Sequence, residues 1–136
     1  MLVYSHREDT PDHGAYLKWL RNTVGSEAPY GISDLVLSGF LRVVTHPRVF
    51  RTPSPTKVAL AFANALRGRP NAVPISPGPG HWDIFANLCK AAGVKGNLVA
   101  DAYLAALAIE HGAELCSTDN DFGRFNRLRW RNPLAQ

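Results

Sequence analysis

Residues 98–111 are the most demanding stretch of the chain. Leu98, Ala102, Leu104, Ala105, Leu107, Ala108 and Ile109 leave almost no polar face. A helix with that pattern is apolar all round and has to be buried rather than laid on a surface. Gly112 stands just past its end, where left-handed backbone commonly stops a helix. With 136 residues, 46% of them hydrophobic and 19% charged, the chain has enough apolar material for one real core, which argues against disorder. The expectation is a single domain over 1–136. No run approaches the roughly eighteen apolar residues of a membrane span, and Glu8 and Asp9 spoil a signal peptide. Cys89 and Cys116 are too few and too far apart for a disulfide framework or a zinc knuckle. A soluble protein of the reducing cytoplasm fits.

The remaining elements are read from caps and periodicity. Residues 2–5 resemble the end of a strand, and Thr10-Pro11 the start of a helix that Gly25 closes. Ser33 can cap a second helix carrying Leu37, Phe40, Leu41 and Val44. Ser54-Pro55 opens a third, with Ala59, Phe62, Ala63 and Leu66 on one side. A short strand is expected over 71–75, followed by the turn-rich run 76–80 and a helix from His81 to Ala92 that Gly93 stops. Residues 114–117 and 128–130 read as strands. Helices alternating with short strands imply an α/β fold, a parallel sheet covered by helices.

Net charge is +4, and its location matters more than its size. No acid follows Asp121, whereas Arg124, Arg127, Arg129 and Arg131 do, with Phe125 and Trp130 interleaved. A basic, aromatic-bearing edge suits a polyanion such as RNA, with Arg124, Arg127 and Arg129 as candidates for holding phosphate. It equally suits a solvated C-terminal strand.

Three acids carry the possible chemistry. Asp101 falls in the first turn of the apolar helix, where a carboxylate meets the positive end of the helix dipole. Asp119 and Asp121 follow the strand at 114–117, at the edge where ligands of parallel sheets bind. In extended backbone the two would share a face. Alone, Asp101 also reads as a simple helix-start acid, and Asp119-Asn120-Asp121 before Phe122-Gly123 as an Asx turn. Gathered together, the three match a hard divalent cation, Mg²⁺ or Mn²⁺, which takes only one or two direct carboxylates. Such an ion lowers the pKa of water and orients a phosphodiester. Acids for a metal beside arginines for phosphate is the distribution a metal-dependent nuclease needs.

Other chemistries find less support. Pro77-Gly78-Pro79-Gly80 lacks the Lys-Ser/Thr of a phosphate loop. Ser33, Ser38 and Ser117 have no nucleophile elbow. His6, His13, His46, His81 and His111 are scattered singly, with no pair at ligand spacing. A flavodoxin-like or response-regulator domain would need a phosphoacceptor Asp after an early strand and a later Lys, and neither is evident.

Residues 96–112, from Gly96-Asn97-Leu98-Val99-Ala100-Asp101 to His111-Gly112, resemble the fourth-helix motif of PIN-domain ribonucleases. Ser117-Thr118-Asp119-Asn120-Asp121-Phe122 is similar to their [S/T]-x-D-x-D-F signature. The run 39–50 and the ending Leu128-Arg129-Trp130-Arg131-Asn132-Pro133-Leu134 resemble a mycobacterial-type branch of the VapC toxins. Four motifs in order make the match specific. The resemblance implies a Mg²⁺-dependent endoribonuclease toxin of a type II toxin–antitoxin pair, cutting structured RNA such as tRNA or rRNA through metal-activated water. It further implies a VapB-type antitoxin, a homodimer, and Asp101 and Asp119 as metal-binding acids with Asp121 nearby. Two departures stand out. The family's first strand reads apolar-apolar-Asp-x-Asn-apolar, and here residues 2–5 match only the part of the pattern after that Asp, so the first strand is expected to be incomplete. Either a start assigned too far downstream or a truncated copy would explain this. Many PIN proteins also place a Glu near Ser38 or Gly39, from which Asp34 is about one helical turn away. The alternative is therefore a catalytically impaired PIN remnant that binds antitoxin or RNA without cleaving.

Overall fold

A computed structural model describes residues 1–135 as two compact units, Met1–Ile75 and Ser76–Gln136. The first contains α1 (Leu2–His6), α2 (His13–Gly25), β1 (Tyr30–Ile32), α3 (Asp34–Val44), α4 (Thr56–Arg67) and β2 (Ala72–Pro74). The second contains α5 (His81–Ala92), α6 (Leu98–Glu110), β3 (Leu115–Cys116), a 3-10 helix (Asn120–Arg124) and β4 (Trp130–Arg131). Each unit holds one parallel strand pair. Tyr30 faces Ala72 and Ile32 faces Pro74 in the first; Leu115 faces Trp130 and Cys116 faces Arg131 in the second. The expected mix of helices and parallel strands is present.

In the first unit, Leu20, Ile32, Leu37, Ala63 and Leu66 bury one apolar cluster, and Phe40, Val44 and Ala59 another. Ser33 caps α3 as expected, its hydroxyl accepting the Leu35 N–H at 3.2 Å. Three expectations need correction. Residues 2–5 are helical, not strand: Ser5 N–H and Arg7 N–H bond to the carbonyls of Met1 and Val3, four residues back. The buried Ser5 hydroxyl contacts Met1 O and Tyr16 O, and the Tyr4 ring lies 5.2 Å from that of Tyr16. These tertiary contacts override the strand preference of Val3 and Tyr4. Second, α2 starts at His13 rather than at Thr10-Pro11. The Thr10 hydroxyl is turned back onto Arg7 O at 2.6 Å and so cannot cap forward. Third, the first strand is Tyr30–Ile32, a segment that periodicity alone does not mark as a strand.

The second unit is built around α6. Ala102, Ala105, Ala106, Leu107 and Ala108 are all buried, so the body of the helix is enclosed as its composition demands, whereas Val99 and Ala100 in its first turn stay exposed. Its alanines let α5 approach closely, and Leu88, Phe122 and Phe125 close the cluster. Gly93 and Gly112 end α5 and α6 with φ of 58° and 63°, a left-handed backbone that side chains with a Cβ resist. The last residues of α6 also moor the turn 76–80. Glu110 accepts N–H bonds from Gly78 and Gly80 at 2.7 and 2.9 Å, and His111 Nε2 donates to Ser76 O at 2.8 Å.

Candidate metal centre

Asp101 enters the site from the first turn of α6, whose buried alanines fix its position. Asp119 and Asp121 enter from the segment after β3. That segment is not extended: Asp119 caps the 3-10 helix, and its Oδ1 accepts the Asp121 N–H at 2.9 Å. The two acids are brought together by turn geometry rather than by strand alternation, since an Asp side chain readily bonds the backbone two residues on. The Asx turn and the acidic cluster are thus the same feature.

The loop is pinned from several directions. Ser117 Oγ accepts the Asp119 N–H at 3.1 Å, and Trp130 Nε1 donates to Ser117 O at 3.0 Å. Phe122, directly after Asp121, is 4% exposed and sits in the α6 cluster with Phe125. Apolar anchors on one side of the loop therefore hold carboxylates on the other.

Asp101, Asp119 and Asp121 each offer a carboxylate oxygen, and the three atoms lie within 4.8 Å of one another. Burial and the two neighbouring carboxylates push the Asp101 pKa up, against a smaller opposing pull from Arg124. Three carboxylates at this separation, with Arg124 the one cation paired into them among the described residues, fit a divalent cation such as Mg²⁺ or Mn²⁺.

The tail arginines divide. Arg124 reaches back to Asp121, with Nε donating to its carbonyl at 3.0 Å and Nη2 to Oδ1 at 3.2 Å. The i,i+3 spacing could have signalled this pair. Arg129 donates to Gly112 O, and Arg131 pairs with Glu114 at 3.0 Å. Arg127 is exposed and is engaged by no such partner among the described residues. Asp34 is paired with Arg67 at 2.8 Å, and Asp9 with Arg7. All five histidines are within hydrogen-bond distance of a nearby group: His6 with Ser54 Oγ, His13 with Tyr4 O, His46 with Arg48 N–H, His81 with Tyr103 O, and His111 with Ser76 O. Both cysteines are free thiols.

An α/β chain with three acids converging from a helix start and a strand-following loop has counterparts of known family. The PIN domain pattern matches residues 1–128, and the chain belongs to the PIN-domain family. Within it, the similarity runs to VapC ribonucleases. The chain is 43% identical to VapC ribonuclease Mb2897 of Mycobacterium bovis over 98% of its own length and 91% of that protein. Ribonuclease VapC25 of Mycobacterium tuberculosis is 38% identical, over 98% of this chain and 94% of that protein. Among solved structures, VapBC2 from Rickettsia felis, bound to a DNA fragment from its promoter, matches with a TM-score of 0.63. That match covers 96% of this chain and 92% of the other at 18% identity, a likeness of fold. No described helix is long and apolar enough to cross a membrane.

Proposed function

We propose that this chain is a metal-dependent endoribonuclease, the toxin of a type II toxin–antitoxin pair, cleaving structured RNA such as tRNA or rRNA in the cytoplasm. What carries the reading is the convergence of Asp101, Asp119 and Asp121 within 4.8 Å in a PIN-domain chain. Asp101 and Asp119 would hold Mg²⁺ or Mn²⁺, with Asp121 beside them. When bound, the ion supplies water activation and charge neutralisation at the phosphodiester. The chain's own residues do the rest. Asp119 fixes the loop by its bond to Asp121 N–H, Arg124 orients the Asp121 carboxylate, and Arg124, Arg127 and Arg129 present cations for the RNA backbone. A VapB-type antitoxin would silence the site by placing a basic side chain among the same acids, and the working species is a homodimer.

The direct test is RNA cleavage with Mg²⁺, comparing this chain with Asp101→Asn and Asp119→Asn. Loss of cleavage in both variants is expected; equal cleavage by all three removes the site assignment. A second reading, a remnant that binds antitoxin or RNA without cutting, draws support from one observation. Among the described residues the cluster comprises three carboxylates, and Asp9 is committed to Arg7. Calorimetry separates the two, because a remnant would bind antitoxin yet take up no Mn²⁺ at millimolar concentration.

A further inference from the structure

We infer that a groove beside Arg124 holds the base of one unpaired nucleotide of the RNA, next to the phosphodiester to be cut. The inference rests on the nuclease reading and adds the place where substrate is gripped. The groove, about 220 Å³, lies between the second half of α5 and the segment 124–127. Its apolar floor comes from Leu88 and Phe125, both nearly inaccessible, with the half-buried Ala92 between them. Ala91 is small and exposed, which keeps the mouth open. Asn87 and Asn126 stand at the rim, and Arg124 and Arg127 complete it.

Size and chemistry narrow the occupant. The volume falls below the roughly 300–1,000 Å³ of drug-sized ligand sites, so the groove suits one flat ring system rather than a cofactor. A carboxamide carries both a donor and an acceptor, as the edge of an unpaired base requires. Guanidinium groups pair with phosphate oxygens in a forked geometry. Arg127 is exposed and is engaged by no acid or carbonyl among the described residues. Arg124 joins the groove to the acids, because it lines the first and reaches Asp121 Oδ1 at 3.2 Å. A nucleotide seated here therefore turns its phosphate toward the carboxylate cluster. An apolar side chain of a protein partner would suit the floor, but two cations and two amides at the rim favour a nucleotide.

Binding is measured without metal, in EDTA, on the non-cleaving Asp101→Asn chain, by anisotropy of a fluorescein-labelled single-stranded RNA of eight nucleotides. Ala91→Leu, which fills the mouth from an exposed helix position, should weaken binding about tenfold, and Arg127→Ala by a similar factor. An oligomer of the same length with abasic riboses throughout should bind the parent and Ala91→Leu alike. With Asp101 restored and Mg²⁺ present, Ala91→Leu should raise KM for RNA by more than it lowers kcat. Unchanged RNA affinity and KM in both groove variants, with cleavage still abolished by Asp101→Asn, overturns the groove and leaves the nuclease reading standing. Undiminished cleavage by Asp101→Asn removes the assignment of the metal centre, and with it the placing of the groove beside the phosphodiester to be cut. Lost antitoxin binding in Ala91→Leu at unchanged RNA affinity makes the groove a protein interface and overturns the inference.

Discussion

Asp101 lies where burial and two neighbouring carboxylates oppose its ionisation, with only Arg124 in its favour. A carboxyl whose folded pKa is raised contributes stability that is fully present below its unfolded pKa and is lost as pH rises through the folded value. The metal-free protein should therefore become less stable across that window. Asp101→Asn should flatten the loss and melt higher than the parent at neutral pH, as read by calorimetry in EDTA. The same substitution should cut cleavage by more than about a hundredfold, since even outer partners of a metal site cost 10–100-fold. A variant that is more stable yet inactive is the expected mark of a residue kept for its charge. If Asp101→Asn instead lowers the melting temperature, the carboxylate is structural. All three acids are legible in the sequence because motif spacing and helix position are local. The pairing of Arg124 with Asp121 is signalled by their i,i+3 spacing, whereas the commitment of Arg129 to Gly112 O is not, because a count of charges does not show where a guanidinium points.

At the scale of elements, α3 to α6 are legible because their signals lie within a few residues: the Ser33 cap, the Gly93 stop and the run of α6 that is apolar but for Asp101 and its last residue. Helix α1 depends on Ser5 meeting Tyr16 O eleven residues away, and β1 is three residues long with a glycine at its centre. Neither leaves a pattern that periodicity can register. The groove is hidden for the same reason, since it exists only where α5 meets the segment 124–127. Two outcomes test the packing of α6. Ala105→Leu should destabilise the fold by about 1–3 kcal/mol, the usual cost of overpacking, measured by urea unfolding. Glu110 is the second case. The bonds from Gly78 and Gly80 hold its pKa below the ordinary glutamate value, with burial opposing between them. Its contribution is present above the unfolded pKa and is lost as pH falls through the lower folded one. Glu110→Gln should accordingly flatten the acid side of a plot of melting temperature against pH. Gly78→Ala should weaken the same anchorage, because a Cβ there would lie 2.8 Å from Glu110 Oε2.

For the molecule as a whole, charge is distributed differently from what the bare C-terminal run of arginines implies. The unit Ser76–Gln136 carries six basic and six acidic residues, whereas Met1–Ile75 carries nine basic and five acidic, the whole surplus of +4. Within the second unit Arg124 and Arg131 are answered by Asp121 and Glu114, leaving Arg127 the cation most available to a phosphate. Affinity for single-stranded RNA should fall with added salt, by about 0.7 in log–log slope for each phosphate contact. Arg127→Ala should reduce that slope by roughly one such contact. An unchanged slope would take Arg127 out of the RNA interface. The enclosure of α6 also divides the unit by its tolerance of substitution. Ala102, Ala105, Ala106 and Ala108 are at most 4% exposed and leave no room for growth, whereas Asn87, Ala91, Asn126 and Arg127 all face solvent. Substitutions along the outer rim should therefore leave the fold standing where growth along α6 would not, so this unit can vary its face while Asp101 keeps its place.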